Sequence, residues 1–144
     1  MVIPYKISHI ETKQFAVFPD VLVYGETIGT SVDFSFTVNT DRTGIRAVGT
    51  FKYEQKQNLL LILELACYFD ISPEGWDKVK EDNKWVIPVD FLRYMATIVV
   101  GAARGIIHIK TEGTVLNTVV LPPINLQEGI NDDYVIEKKK GVRS

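Results

Sequence analysis

Residues 31–39 (SVDFSFTVN) alternate without a break: Val32, Phe34, Phe36 and Val38 fall on one side, and Ser31, Asp33, Ser35, Thr37 and Asn39 on the other. Successive side chains of a strand point to opposite faces, so this pattern predicts a strand with one face buried. Residues 45–54 repeat it, with Ile45, Ala47, Phe51 and Tyr53 opposite Arg46, Thr50, Lys52 and Glu54. Residues 5–18 alternate for much of their length and predict a first, irregular strand that stops at Pro19-Asp20. A fourth strand is predicted over 59–69 (LLLILELACYF), apolar on both faces except at Glu64. The turns Thr40–Gly44 and Gln55–Asn58 are short and polar, which makes consecutive strands hairpins and the sheet an antiparallel meander. A strand apolar on both faces sits mid-sheet and is covered above and below. A chain of 144 residues lacks the helix to cover both, so the second face of 59–69 is expected to meet another subunit.

The periodicity then changes. Ser72-Pro73 opens a polar stretch, 72–83, with room for a short helix. One long helix is predicted over 88–110, with Pro88 in its first turn and Asp90 at the positive end of its dipole. Phe91, Met95, Ile98 and Ala102 follow at intervals of three or four, with Leu92, Val99, Ala103 and Ile106 beside them. Arg93, Thr97, Arg104 and His108 line the opposite side. Gly101, Ala102, Ala103 and Gly105 cost helix propensity and need a packing reason. A self-contact between copies, through Met95, Ile98, Ala102 and Gly105, supplies one. After Glu112-Gly113, Pro122-Pro123 keeps 114–126 extended. Residues 1–126 read as a single domain, of the α+β class, and 127–144 as a polar, solvated tail.

Composition narrows the function. The chain is 46% hydrophobic and 24% charged with a net charge of −2, values of a folded domain and not of a disordered one. Sixteen basic against eighteen acidic residues leave no electrostatic footprint for a nucleic acid. Cys67 stands alone, so a reducing compartment is expected. The start resembles no signal peptide and no apolar run is long enough to span a bilayer, so a cytoplasmic protein without membrane insertion is expected.

No catalytic residue, metal ligand or cofactor emerges. Cys67 lies within an apolar strand between Ala66 and Tyr68, the setting of a buried structural thiol. His9 and His108 belong to no ligand pair, and Asp132-Asp133 and Glu81-Asp82 sit in polar, solvated stretches. The glycines of 101–105 (GAARG) fall inside a helix, whereas a phosphate loop opens one. What remains is apolar surface. Residues 19–30 carry Val21, Leu22, Val23, Tyr24 and Ile28 between the breakers Pro19, Gly25 and Gly29. Phe15, Phe18, Leu22, Tyr24, Trp76 and Trp85 all fall in loops or at strand ends. Core closure explains any one of them; together they would line a groove for an extended apolar peptide.

Four stretches resemble the SecB-like family of export chaperones: the opening strand YKISHIETKQF (5–15), the strand end CYFDI (67–71), the helix start VIPVDFLRYMATIVVGAARG (86–105), and VVLPPINL (119–126). The last, with its Pro-Pro-Ile-Asn, is the most specific. The resemblance implies a four-stranded antiparallel sheet with one long helix and short helical pieces on one face, assembled as a homo-oligomer, a dimer or dimer of dimers. It implies unfolded polypeptide clients held in apolar grooves without a nucleotide. The loop joining the first two strands shapes that groove in the family, which points here to Leu22 and Tyr24, with Phe15, Phe18 and Phe34 beside them. Two departures stand out. The net charge is only −2, and 127–137 lacks the apolar repeat of a second amphipathic helix, so docking to a SecA-type motor is not expected. The alternative within the same resemblance is a chaperone dedicated to an antitoxin or other non-export client. The competing reading is a hot-dog-like small-ligand enzyme, whose long helix comes early in the chain, whereas here it follows four strands.

Overall fold

The computed structural model describes residues 2–39 and 43–137. Thr40 to Arg42 of the first predicted turn and 138–144 of the tail lie outside the described residues. Four long strands, β1 (Tyr5–Val17), β2 (Gly29–Val38), β3 (Gly44–Gln55) and β4 (Asn58–Ile71), form an antiparallel sheet in the order β1-β4-β3-β2. β2, β3 and β4 are the meander. β1 joins beside β4, so the segment from Phe18 to Ile28 must cross the end of two strands to reach β2. The turn between β3 and β4 is tighter than its polar run suggests, because Gln55 and Asn58 pair and Lys56 adopts a positive φ of 49°.

Beyond β4 the chain forms α1 (Pro73–Lys78), the short strands β5 (Lys80–Glu81) and β6 (Lys84–Ile87), the long α2 (Val89–Lys110), a 3-10 turn at Val115–Thr118, α3 (Leu126–Gly129) and β7 (Tyr134–Glu137). The fold class is α+β, with α2 laid across one face of the sheet. Ser72 caps α1 as its sequence position predicts, its side chain accepting from the Gly75 N–H at 3.0 Å. α2 is long and apolar enough to cross a membrane by length and composition, and here its apolar stripe meets the sheet.

The core lies between sheet and helix. Ile45, Phe51, Tyr53, Leu61, Leu63, Leu65, Cys67 and Phe69 meet Leu92, Met95, Val99, Ala103 and Ile107, all buried. Burying each large aliphatic side chain contributes about 1.5–3 kcal/mol relative to exposure. Gly49 marks where the helix comes closest: a Cβ there would stand 2.9 Å from Val99 Cγ1 and 2.7 Å from the Phe51 ring. Only the missing side chain lets α2 settle onto β3.

The other face of β4 differs from the expectation of an apolar second face. Ile62, Glu64, Tyr68 and Asp70 are half-buried there, and β3 sets Arg46, Thr50 and Lys52 beside them. Ala66 and its β3 neighbour Val48 are buried on the same face, so the face is mixed, apolar at that pair and polar around it.

Residues 127–137, expected as a solvated tail, are mostly exposed yet tied to the fold. β7 pairs with β6 over four residues, and Ile130 is buried. Asp133 Oδ1 accepts from the Val89 N–H at 2.8 Å, placing a carboxylate at the positive end of α2. Pro88 stands just before the helix, not in its first turn. Arg93 and Arg104, on the side expected to face solvent, are half-buried because each is drawn onto the following segment. Arg93 Nε donates to the Ile130 carbonyl, and Arg104 donates to the carbonyls of Leu121 and Pro122, at 2.9–3.0 Å.

Candidate functional site

The crossover segment is apolar yet ordered. Phe18 N–H donates to the Leu60 carbonyl at 2.8 Å, and Pro19–Val21 form a 3-10 turn started by the fixed φ of proline. Val23 to Glu26 then close a second turn, with the Glu26 N–H donating to the Val23 carbonyl at 3.4 Å. Gly25 takes a φ of +87° at the third position, where a type II turn demands it. This puts Tyr24 at the apex.

Gln55, at the end of β3, holds that turn to the sheet. Its Oε1 accepts from the Val23 N–H at 2.8 Å, while Nε2 donates to the carbonyls of Val23 at 2.8 Å and Glu26 at 3.1 Å. The residue is only 1% exposed. All three bonds are part-buried, and they fix the segment while only Leu22 and Ile28 of it pack against the core. A Glu26–Lys56 ion pair at 3.1 Å joins the same two elements; with Lys56 largely exposed it adds little.

The segment offers its side chains outward. Phe18 and Val21 are each 44% exposed, Val23 43% and Tyr24 80%. Leu22 and Ile28 are half-buried against the core and form the floor. Sequence reasoning singled out Phe18, Leu22 and Tyr24. It missed Gln55, because a glutamine opening the run Gln55–Asn58 looks solvated until β3 and the crossover segment are brought together.

Phe15 and Phe34 are half-buried and do not share one patch. Phe15 lies on β1 opposite Leu63, with the Lys110 ammonium 5.3 Å from its ring centre. Phe34 lies on β2 opposite Gly49, its ring edge-on to Phe51 at 6.3 Å. Three strand spacings separate their strands, about 14 Å, and α2 runs over the strands between. Of the residues singled out on α2, Met95 is fully buried within the chain, Ile98 and Ala102 are half-buried, and Gly105 is exposed. Gly101, Ala102, Gly105, Ile106 and Ile109 line a shallow apolar recess of about 570 Å³ with Thr12 and Lys110. Trp76 is buried in α1, and Trp85 is half-buried on β6 with the Lys80 ammonium 5.8 Å from its ring centre.

Two further clusters lie elsewhere on the surface. Tyr5, Phe91 and Tyr94 line a recess of about 430 Å³, where the two tyrosine hydroxyls hydrogen-bond at 2.7 Å. On the polar face, the Tyr68 hydroxyl donates to Glu11 Oε1 at 3.0 Å and accepts from Arg46 Nε at 3.2 Å, with the His9 ring stacked on it. Those groups satisfy one another. Among the described residues no three His, Cys, Asp or Glu side chains converge as metal ligands. Burial pushes the Cys67 thiol above its ordinary pKa, which disfavours the reactive thiolate.

No protein-family model and no curated protein matches the chain. Among solved structures, it is similar to the SecB-like chaperone Rv1957 of Mycobacterium tuberculosis, determined in complex with a ChAD peptide from the HigA1 antitoxin. The likeness has a TM-score of 0.50 at 14% identity and covers 83% of this chain and 90% of that one. The order β1-β4-β3-β2, the crossover between β1 and β2 and the long helix on one face together give this chain the SecB-like fold.

Proposed function

We propose that this chain is a chaperone-like protein that holds extended apolar polypeptide segments, working by binding and not by catalysis. One observation carries the reading. The crossover segment exposes Phe18, Val21, Val23 and Tyr24 while Gln55 fixes its backbone to the sheet. Apolar surface is usually hidden; here hydrogen bonds keep it presented. A segment already ordered loses less entropy when a client arrives, so more of the gain from burial appears as affinity. Apolar contact at about 25 cal/mol per Å² does not depend on a particular client sequence.

The shared fold supports the reading, since the Mycobacterium tuberculosis chaperone was solved with an antitoxin peptide. The client proposed here is an extended apolar stretch, from an antitoxin-like partner or from an unfolded chain bound for export. Self-association belongs to the same reading, through the exposed side of α2 around Ala102 and Gly105.

The reading is tested with a fluorescent, extended apolar peptide titrated against the chain and against Leu22→Ser and Tyr24→Ser. Tyr24 touches little of its own chain, so its loss should leave the unfolding midpoint unchanged and weaken binding about tenfold or more. Leu22→Ser should weaken binding and lower stability together. Binding that is absent in the natural chain, or unaltered by Tyr24→Ser, contradicts the reading.

A further inference from the structure

β2 leaves an edge that the chain does not cover. It stands last in the order β1-β4-β3-β2 and pairs with β3 alone. Among the described residues no hydrogen bond reaches the backbone groups on its outer side. Unpaired N–H and C=O groups in a row form a template for another strand.

The two edges of the sheet are not equivalent. The ladder of β1 is interrupted by register shifts at Ile7/His9 and Thr12/Gln14, and the exposed Lys6, Glu11 and Lys13 stud the strand. Bulges and charges are the usual protection of an edge. β2 has neither defence to the same degree. Its ten residues keep register with β3 from Gly29 to Val38 without a shift, and Asp33 is its one charged residue.

The side chains of β2 say what kind of strand fits. Val32, Phe34, Phe36 and Val38 are half-buried at the margin of the core, so a neighbour's alternate apolar side chains would complete their cover. On the other face Ser31, Asp33, Ser35 and Thr37 are exposed, and Asp33 has no ion-pair partner among the described residues. Opposite charges on neighbouring strands attract, so a basic residue suits the position beside Asp33.

We propose that the client segment adds to this edge as a fifth strand, carrying apolar residues at alternate positions and a lysine or arginine on its polar face beside Asp33. This rests on the binding function proposed above and adds its mode. Main-chain hydrogen bonds supply affinity for any extended backbone, and the alternate side chains select. The crossover segment runs directly into Gly29, so a client longer than the strand continues onto Val23 and Tyr24.

The test uses the full chain and a peptide about ten residues long, matched to β2, with alternating leucine and polar residues and a central lysine. Two versions carry N-methyl groups at alternate backbone positions, one in each register. In a strand only one set of N–H groups faces the neighbour, so one version should lose about tenfold or more in affinity and the other should bind like the parent. Alternate amides of β2 should also exchange more slowly once the parent peptide is bound. Binding of the parent with both methylated versions equal to it, or both equally weakened, overturns the strand mode and leaves the binding function standing. Failure of the parent to bind overturns both. If the β2 amides are already protected in the free protein and unmoved by peptide, a second copy holds the edge, and the strand mode fails.

Discussion

Removing the Gln55 amide takes the partner from the Val23 N–H and the Glu26 C=O and leaves the Val23 C=O with the Glu26 N–H alone, in a part-buried setting. Gln55→Ala is therefore expected to destabilise the chain by about 2 kcal/mol in urea unfolding, about 1 kcal/mol for each of the two groups left without a partner. It should also weaken client binding without any client contact being removed, because a loosened segment must be ordered again on binding. Faster amide exchange at Val23 is the signature that separates this from general destabilisation; unchanged exchange there contradicts the role given to Gln55. Leu22 and Tyr24 were legible in the sequence because apolar residues between Pro19, Gly25 and Gly29 have no ordinary place in a loop. Gln55 was not. Its function depends on a partner 32 positions away, and a glutamine before a turn carries no local signal.

Elements with their own periodicity could be read from the chain, and elements that exist only through a partner could not. β2 and β3 alternate cleanly and were placed within a residue or two, as was α2. β5, β6 and β7 were missed because each is at most four residues long, too short to show a period, and because β6 finds β7 nearly fifty residues later. The same docking turns the polar stretch 127–137 into part of the fold. Asp133 makes it testable. Asp133→Ala should cost about 1 kcal/mol through the lost bond to Val89 N–H and the lost charge at the start of α2. A urea midpoint identical to that of the natural chain shows that residues near Asp133 do not hold the helix.

At the scale of the molecule, the sheet order decides what the chain can do. Because β1 lies beside β4, an apolar connection has to cross the end of the sheet, and the β3–β4 turn supplies the anchor it needs. A plain meander would give neither the crossing segment nor a free, regular β2 edge next to it. Net charge and composition spoke against nucleic acid, and the apolar surplus spoke for a polypeptide partner; neither revealed that four of its exposed members, Phe18, Val21, Val23 and Tyr24, share the crossover segment. The most direct measurement is light scattering from a chemically unfolded client diluted into buffer with and without this chain at equal concentration. Scattering should fall by more than half with the natural chain, and Tyr24→Ser should recover most of it. An aggregation curve unchanged by the natural chain contradicts the account at its centre.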